Sequence, residues 1–287
     1  MTRTRKFVCI TLLLPAILLF AVKQASAQHG GGASSPTPTP PPNMPTPTTA
    51  DTAGGSTTTI EPASKEETKA YKQFRNTPAT DADKKTQLAE EFIDKYPNSR
   101  NRPEAVGWLA TAYLTKGQLD KLAAEGDKEM ALNPPNPASL AVIGSNLSRA
   151  VTPSTPNAQQ HLDQAEQFCK KSLETLATAQ KPNDVPEERF KSAKDSASAV
   201  AYSGLGTVAF RRAKYPDAIT DLDQSIKFGG GNDPVNYYLL GKANEVTNNF
   251  DQALAAYTKC AATPGGMQAA CQAGVTEVKA HGAALPK

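Results

Sequence analysis

Histidine is nearly missing from this chain, with three in 287 residues, at positions 29, 161 and 281. Cysteine is scarce too: Cys9, Cys169, Cys260 and Cys271. A zinc-type site needs His or Cys ligands in short, matched spacings. Cys260, Cys271 and His281 are too widely spaced, and no second close pair exists. A nucleophile with a His and an acid has no supporting motif. A phosphate loop is lacking as well. Gly229-Gly230-Gly231 runs into Asn232-Asp233-Pro234, without the Lys-Ser/Thr pair, and follows a helical stretch rather than a strand. The carboxylate-rich stretches Lys65-Glu66-Glu67 and Glu187-Glu188 read as solvated helix faces. The sequence therefore assigns no catalytic, metal or cofactor residue and points away from an enzyme.

Excess charge of one sign is absent. The formal +3 is misleading, because Arg3, Arg5, Lys6 and Lys23 all sit in the first 27 residues, leaving 27 basic against 28 acidic residues beyond them. A near-neutral chain without a basic stripe has no electrostatic footprint for nucleic acid or anionic lipid. Long apolar runs are absent too. The longest, Phe7 to Val22, is sixteen residues interrupted by Pro15, short of the ~20 that span a bilayer. Arg3, Arg5 and Lys6 precede it and Ala25-Ser26-Ala27 follows. That order predicts a signal peptide over 1–27, cleaved after Ala27. The protein is then exported, periplasmic or secreted, with no stable membrane insertion after cleavage. No cysteine follows the exit site to accept a lipid.

Residues 28–62 carry Gly30-Gly31-Gly32 and then Pro and Thr from Pro36 to Thr49. With almost nothing apolar to bury, this segment is expected to be a disordered linker. Proline favours polyproline II, which would reach about 100 Å at ~3.1 Å per residue. It is either a spacer or a plain joint between leader and domain. From 63 to 287 the chain is rich in Ala, Leu, Lys, Gln and Glu and poor in β-type alternation, which predicts an all-α domain.

The strongest pattern is an internal repeat. Tyr202-x-x-Leu205-Gly206 recurs as Tyr237-x-x-Leu240-Gly241, an offset of 35. The same offset relates Tyr215 to Phe250, Ala218 to Ala253, Leu222 to Tyr257 and Ser225 to Cys260. The small residues let paired helices approach closely. Turns at Lys214-Tyr215-Pro216 and Asn248-Asn249-Phe250 are short enough to make neighbouring helices antiparallel.

These residues resemble the tetratricopeptide repeat family, most clearly over 199–232 and 234–267. The mid-helix Tyr of the family is Ala209 or Asn244 here, and Gly-rich turns stand for its terminal Pro. Upstream, Val106-x-x-Leu109-Ala110-x-x-Tyr113 with Leu119 and Leu122 forms another pair, where Gly126 replaces the aromatic and reads as a local defect. Leu88-Ala89-x-x-Phe92-x-x-x-Tyr96-Pro97 looks like a second helix whose partner would be 64–76; its phrasing is similar to periplasmic members of the family that serve in envelope assembly. A further unit runs from Leu140-x-x-Ile143-Gly144 to Ala165-x-x-x-Cys169-x-x-Ser172, with an insertion at 151–159. A second insertion, 181–197, is expected to lengthen the next first helix. The resemblance implies an α-solenoid of about five antiparallel pairs and a C-terminal capping helix near 267–280.

In an exported protein Cys260 and Cys271 are candidates for a disulfide stapling that cap, with two separately packed thiols as the alternative; Cys169 is left to pack as a small apolar residue. On the family's pattern the first helices line a concave groove, and the residues projecting into it would be Ser203, Thr207, Arg211, Tyr238, Lys242 and Glu245. These depart from the Lys/Asn clamp with which some members hold carboxylate termini. The reading is a protein-binding scaffold acting outside the cytoplasm, taking a peptide or helix of a partner. Alternatives are an envelope spacer without a dedicated ligand, or an envelope hydrolase using the inserted loops.

Overall fold

The computed structural model describes residues 63–284. The leader, the Pro/Thr segment and Cys9 lie outside the described residues. Those described form eleven α-helices and no strand. They are α1 (Lys65–Asn76), α2 (Ala82–Lys95), α3 (Arg102–Thr115), α4 (Leu119–Ala131), α5 (Pro137–Ala150), α6 (Ala158–Thr178), α7 (Glu187–Arg211), α8 (Tyr215–Lys227), α9 (Pro234–Val246), α10 (Phe250–Ala261) and α11 (Gln268–Ala284). None is long and apolar enough to cross a membrane.

Local chemistry sets the helix starts. Ser64 caps α1 by accepting from the Glu67 N–H at 3.0 Å. Asn136 caps α5 by accepting from Ala138 and Ser139, both at 3.1 Å. Asp233 caps α9 by accepting from Val235 at 2.9 Å. Each side chain satisfies N–H groups that the first turn leaves without partners. Pro137 and Pro234 follow their caps directly, where a missing N–H costs nothing.

The helices pack as adjacent pairs, α1 on α2, α3 on α4, α5 on α6, α7 on α8 and α9 on α10, with α11 against α10 and α9. First helices also touch across pairs: α3 on α5, α5 on α7 and α7 on α9. Three pairs are joined by three-residue turns whose middle residue, Gly117, Ala213 or Asn248, is left-handed at φ 65°, 56° and 60°. In each the next N–H closes onto the carbonyl five residues back: Gln118 to Tyr113, Lys214 to Ala209 and Asn249 to Asn244, at 2.8–2.9 Å. The turns therefore lie at 212–214 and 247–249, earlier than the sequence suggested, because Tyr215 and Phe250 already begin helices.

Glycines set the spacing within pairs. A Cβ on Gly144, Gly206 or Gly241 would lie 2.5–2.7 Å from Cys169, Leu222 or Tyr257 of the paired helix. The equivalent side chain in α4 is Gly126, and the space it leaves is filled by the Phe168 ring from α6. Gly126 is thus a seat for the neighbouring pair, correcting its reading as a defect; α4 runs through it unbroken. A second contact recurs at one register. Ser172 donates to the Pro137 carbonyl and Ser225 to the Ala199 carbonyl, both at 2.7 Å. Cys260 Sγ sits 3.2 Å from the Pro234 carbonyl. Each carbonyl is seven residues before its pair's glycine.

The insertions are absorbed helically. At 151–157 the turn is longer, and α6 extends to 21 residues. The second lengthens α7 to 25 residues, its start held by Val185 and Phe190 against Ala179. Cys260 and Cys271 form a disulfide with Cα atoms 5.7 Å apart, tying α11 to α10. Buried Tyr257 is pressed between Gly241 and Gly274 of the cap.

A cluster of charged side chains is buried between α3 and α4. Arg102 at the start of α3 is buried and meets Glu125 and Glu129 of α4, with a further bond to the Ile93 carbonyl. Burial pushes the Glu129 carboxyl up to about 7, against the pull of Arg102.

Candidate partner-binding face

The six residues expected in the groove separate into two groups. Ser203 and Thr207 are 3% and 1% exposed, so they do not project into open space. Thr207 donates to the Ser203 carbonyl of its own helix at 2.8 Å. Ser203 donates to Asn236 at 2.6 Å and accepts from Arg149 at 2.7 Å. The same Arg149 guanidinium pairs with Asp233. Asn236 in turn donates to Ser225 at 3.0 Å. Five side chains from four helices, α5, α7, α8 and the start of α9, are thus tied together. A buried polar side chain must find a partner, and Ser203 finds its partners on the neighbouring pairs. Ser203 therefore joins neighbouring pairs, while Thr207 is satisfied within its own helix.

Arg211 ends α7 and is exposed; its guanidinium donates to the Arg149 carbonyl at 3.3 Å. Tyr238, Lys242 and Glu245 are half-buried on α9. Tyr238 packs its ring against Tyr257 at 6.2 Å. Lys242 bridges Glu245 at 3.0 Å and Glu277 of α11 at 3.5 Å. Glu245 also accepts from the Tyr257 hydroxyl at 2.7 Å. Burial alone would lower the Lys242 ammonium, but Glu245 and Glu277 outweigh it and hold its pKa above the ordinary value. Burial would likewise raise the Glu245 carboxyl, but Tyr257 and Lys242 hold it below the usual range.

Arg149, Asp233 and Asn236 escaped sequence reasoning, although one signal was there. Arg149 is the lone charge in the fourteen residues of α5, and a single cation in a small, apolar helix implies a partner elsewhere in the fold. The other groups with perturbed acidity belong to packing or to surface ion pairs such as Lys116 with Asp83. Cys169 is a free thiol buried between Gly144 and Gly204, where burial pushes its pKa up and keeps it in the protonated, unreactive form. His161, at the start of α6, is buried 3.3 Å from Asp120. Asp221 on α8 is pushed up to about 6 by burial and by Asp217.

No protein-family model matches the chain, and no curated protein does.

Proposed function

We propose that this chain is an exported, non-catalytic interaction module, a tetratricopeptide-like solenoid whose first helices offer a groove to a peptide or helix of a partner protein. The observation that carries this reading is recurrence at one register. In the last two pairs the glycine, the left-handed turn residue seven positions later and the small residue reaching back to the first helix all return, and α5–α6 shares the glycine and the Ser172 contact. Constant spacing turns each pair by a similar amount relative to the last, which aligns the first helices into one continuous surface. The signal-like leader agrees with the Cys260–Cys271 bond, since disulfides persist in oxidising compartments. Arg211 is exposed at the end of α7, and a partner segment bearing a carboxylate suits it; Lys242 lies on the same surface, shared between Glu245 and Glu277.

Cross-linking in intact cells followed by capture of the full exported chain tests the proposal. A reproducible partner protein is expected from the wild type and from a Lys72→Glu control on α1. At least a tenfold loss is expected with Arg211→Glu plus Lys242→Glu. Recovery of the same partner in undiminished yield from the double variant contradicts the groove.

A further inference from the structure

We infer that Glu245, Glu277 and His281 form a binding site for a divalent transition-metal ion between α9 and the capping helix. One ligand atom from each lies within 4.8 Å of the others. Glu277 and His281 are four residues apart on α11 and share a face. Glu245 faces them from a different helix, so the site exists only when the cap is docked. Ligands bound at about 2.0–2.2 Å sit roughly 3.3 Å from one another in a tetrahedral shell, a contraction that side-chain rotation supplies.

The ligands are held as metal ligands usually are, by groups behind them. The hydroxyl of wholly buried Tyr257 orients Glu245 at 2.7 Å. The His281 ring lies nearly parallel to Phe250, 5.7 Å between centroids and 11° between planes. The disulfide fixes the helix that carries Glu277 and His281. The place between the two carboxylates is already cationic, occupied by the Lys242 ammonium at 3.0 and 3.5 Å. A divalent ion would replace that single charge, and Lys242, 31% exposed, would turn out to solvent. One imidazole with two carboxylates favours Zn²⁺, Co²⁺ or Ni²⁺ over the hard, oxygen-seeking Mg²⁺ and Ca²⁺. A fourth position would be left to water.

This site shares Glu245 and Lys242 with the proposed groove, but its deciding variant, His281→Ala, touches neither, so its failure is distinguishable from failure of partner capture. The test is calorimetric titration of chelator-treated, disulfide-intact full exported chain with ZnCl₂ at pH 7.5. One Zn²⁺ per chain is expected in the wild type. His281→Ala, at an exposed position and with unchanged circular dichroism, should weaken binding at least tenfold. Glu277→Gln should also weaken it, and Lys242→Met should tighten it several-fold by removing the competing ammonium. No binding by the wild type, or equal binding by His281→Ala, overturns the site. Unchanged affinity in Lys242→Met overturns the exchange of ammonium for metal.

Discussion

Replacing Arg102 by Met is expected to destabilise the folded domain by about 3–5 kcal/mol, because it strands the buried Glu129 carboxylate and takes one of two cations from Glu125, which keeps Lys128 at 3.4 Å. Glu125 and Glu129 are 3% and 0% exposed, and Arg102 reaches both. The loss should depend on pH, and its sign follows from Glu129. The folded carboxyl sits at about 7 against an ordinary 4.5, chiefly through burial, so the folded state holds this proton more tightly than the unfolded one. Its contribution to stability is therefore complete below about pH 4.5 and is lost as pH rises through about 7. The full span is worth roughly 3 kcal/mol. Burial raises Glu125 in the same direction. Without Arg102 both carboxyls remain protonated to higher pH, so the variant should lose most at pH 8 and much less at pH 5. Urea denaturation at the two pH values measures this. Equal losses at both would mean that the buried charges are not what Arg102 serves.

A second large effect is expected at Gly204, where first helices of successive pairs meet. A Cβ there would stand 3.1 Å from both the Cα and the N of Ser145, and closer still to the Cys169 sulfur. The sulfur can turn away; the Ser145 backbone belongs to α5 and cannot move without shifting the whole helix. Gly204→Val should therefore cost about 3 kcal/mol, the upper part of the usual range for overpacking. Gly107 supplies the contrast. It lies mid-helix in α3 with nothing within 4 Å of an added Cβ, so Gly107→Ala should stabilise by about 0.5–1 kcal/mol. Thermal unfolding of the two variants checks both signs. A tolerated valine at 204 would mean that α5 and α7 are not in close contact.

Much of this architecture is legible locally. Ser64 marks the start of α1, the 35-residue offset marks the last two pairs, and the insertion before 197 becomes the long α7. Cys260 and Cys271, eleven positions apart, are bonded, one of the two arrangements the sequence left open. What local pattern does not carry is partnership at long range. Ser203 is polar and lies where the groove was expected, yet it meets Arg149 across 54 residues and Asn236 across 33. Thr207 is cheap to bury because its hydroxyl is satisfied within its own turn. Gly126 reads as a weak helix position until Phe168, from another pair, is placed over it. Glu277 and His281 look like ordinary cap-surface residues until Glu245 faces them. In each case the missing information is which pair lies next door.

Excising one full period tests the proposed repeat most directly. Deleting residues 226–260 removes 35 positions and joins Ser225 to Ala261, which puts Ser225 where Cys260 stood and Leu222 where Tyr257 stood beneath Gly274. If the pairs are equivalent units at one register, the shortened chain keeps its helical circular dichroism per residue and melts cooperatively, while a deletion of thirty residues ending at the same point does not. If both deletions collapse alike, or both fold alike, the pairs do not share a register and the account fails.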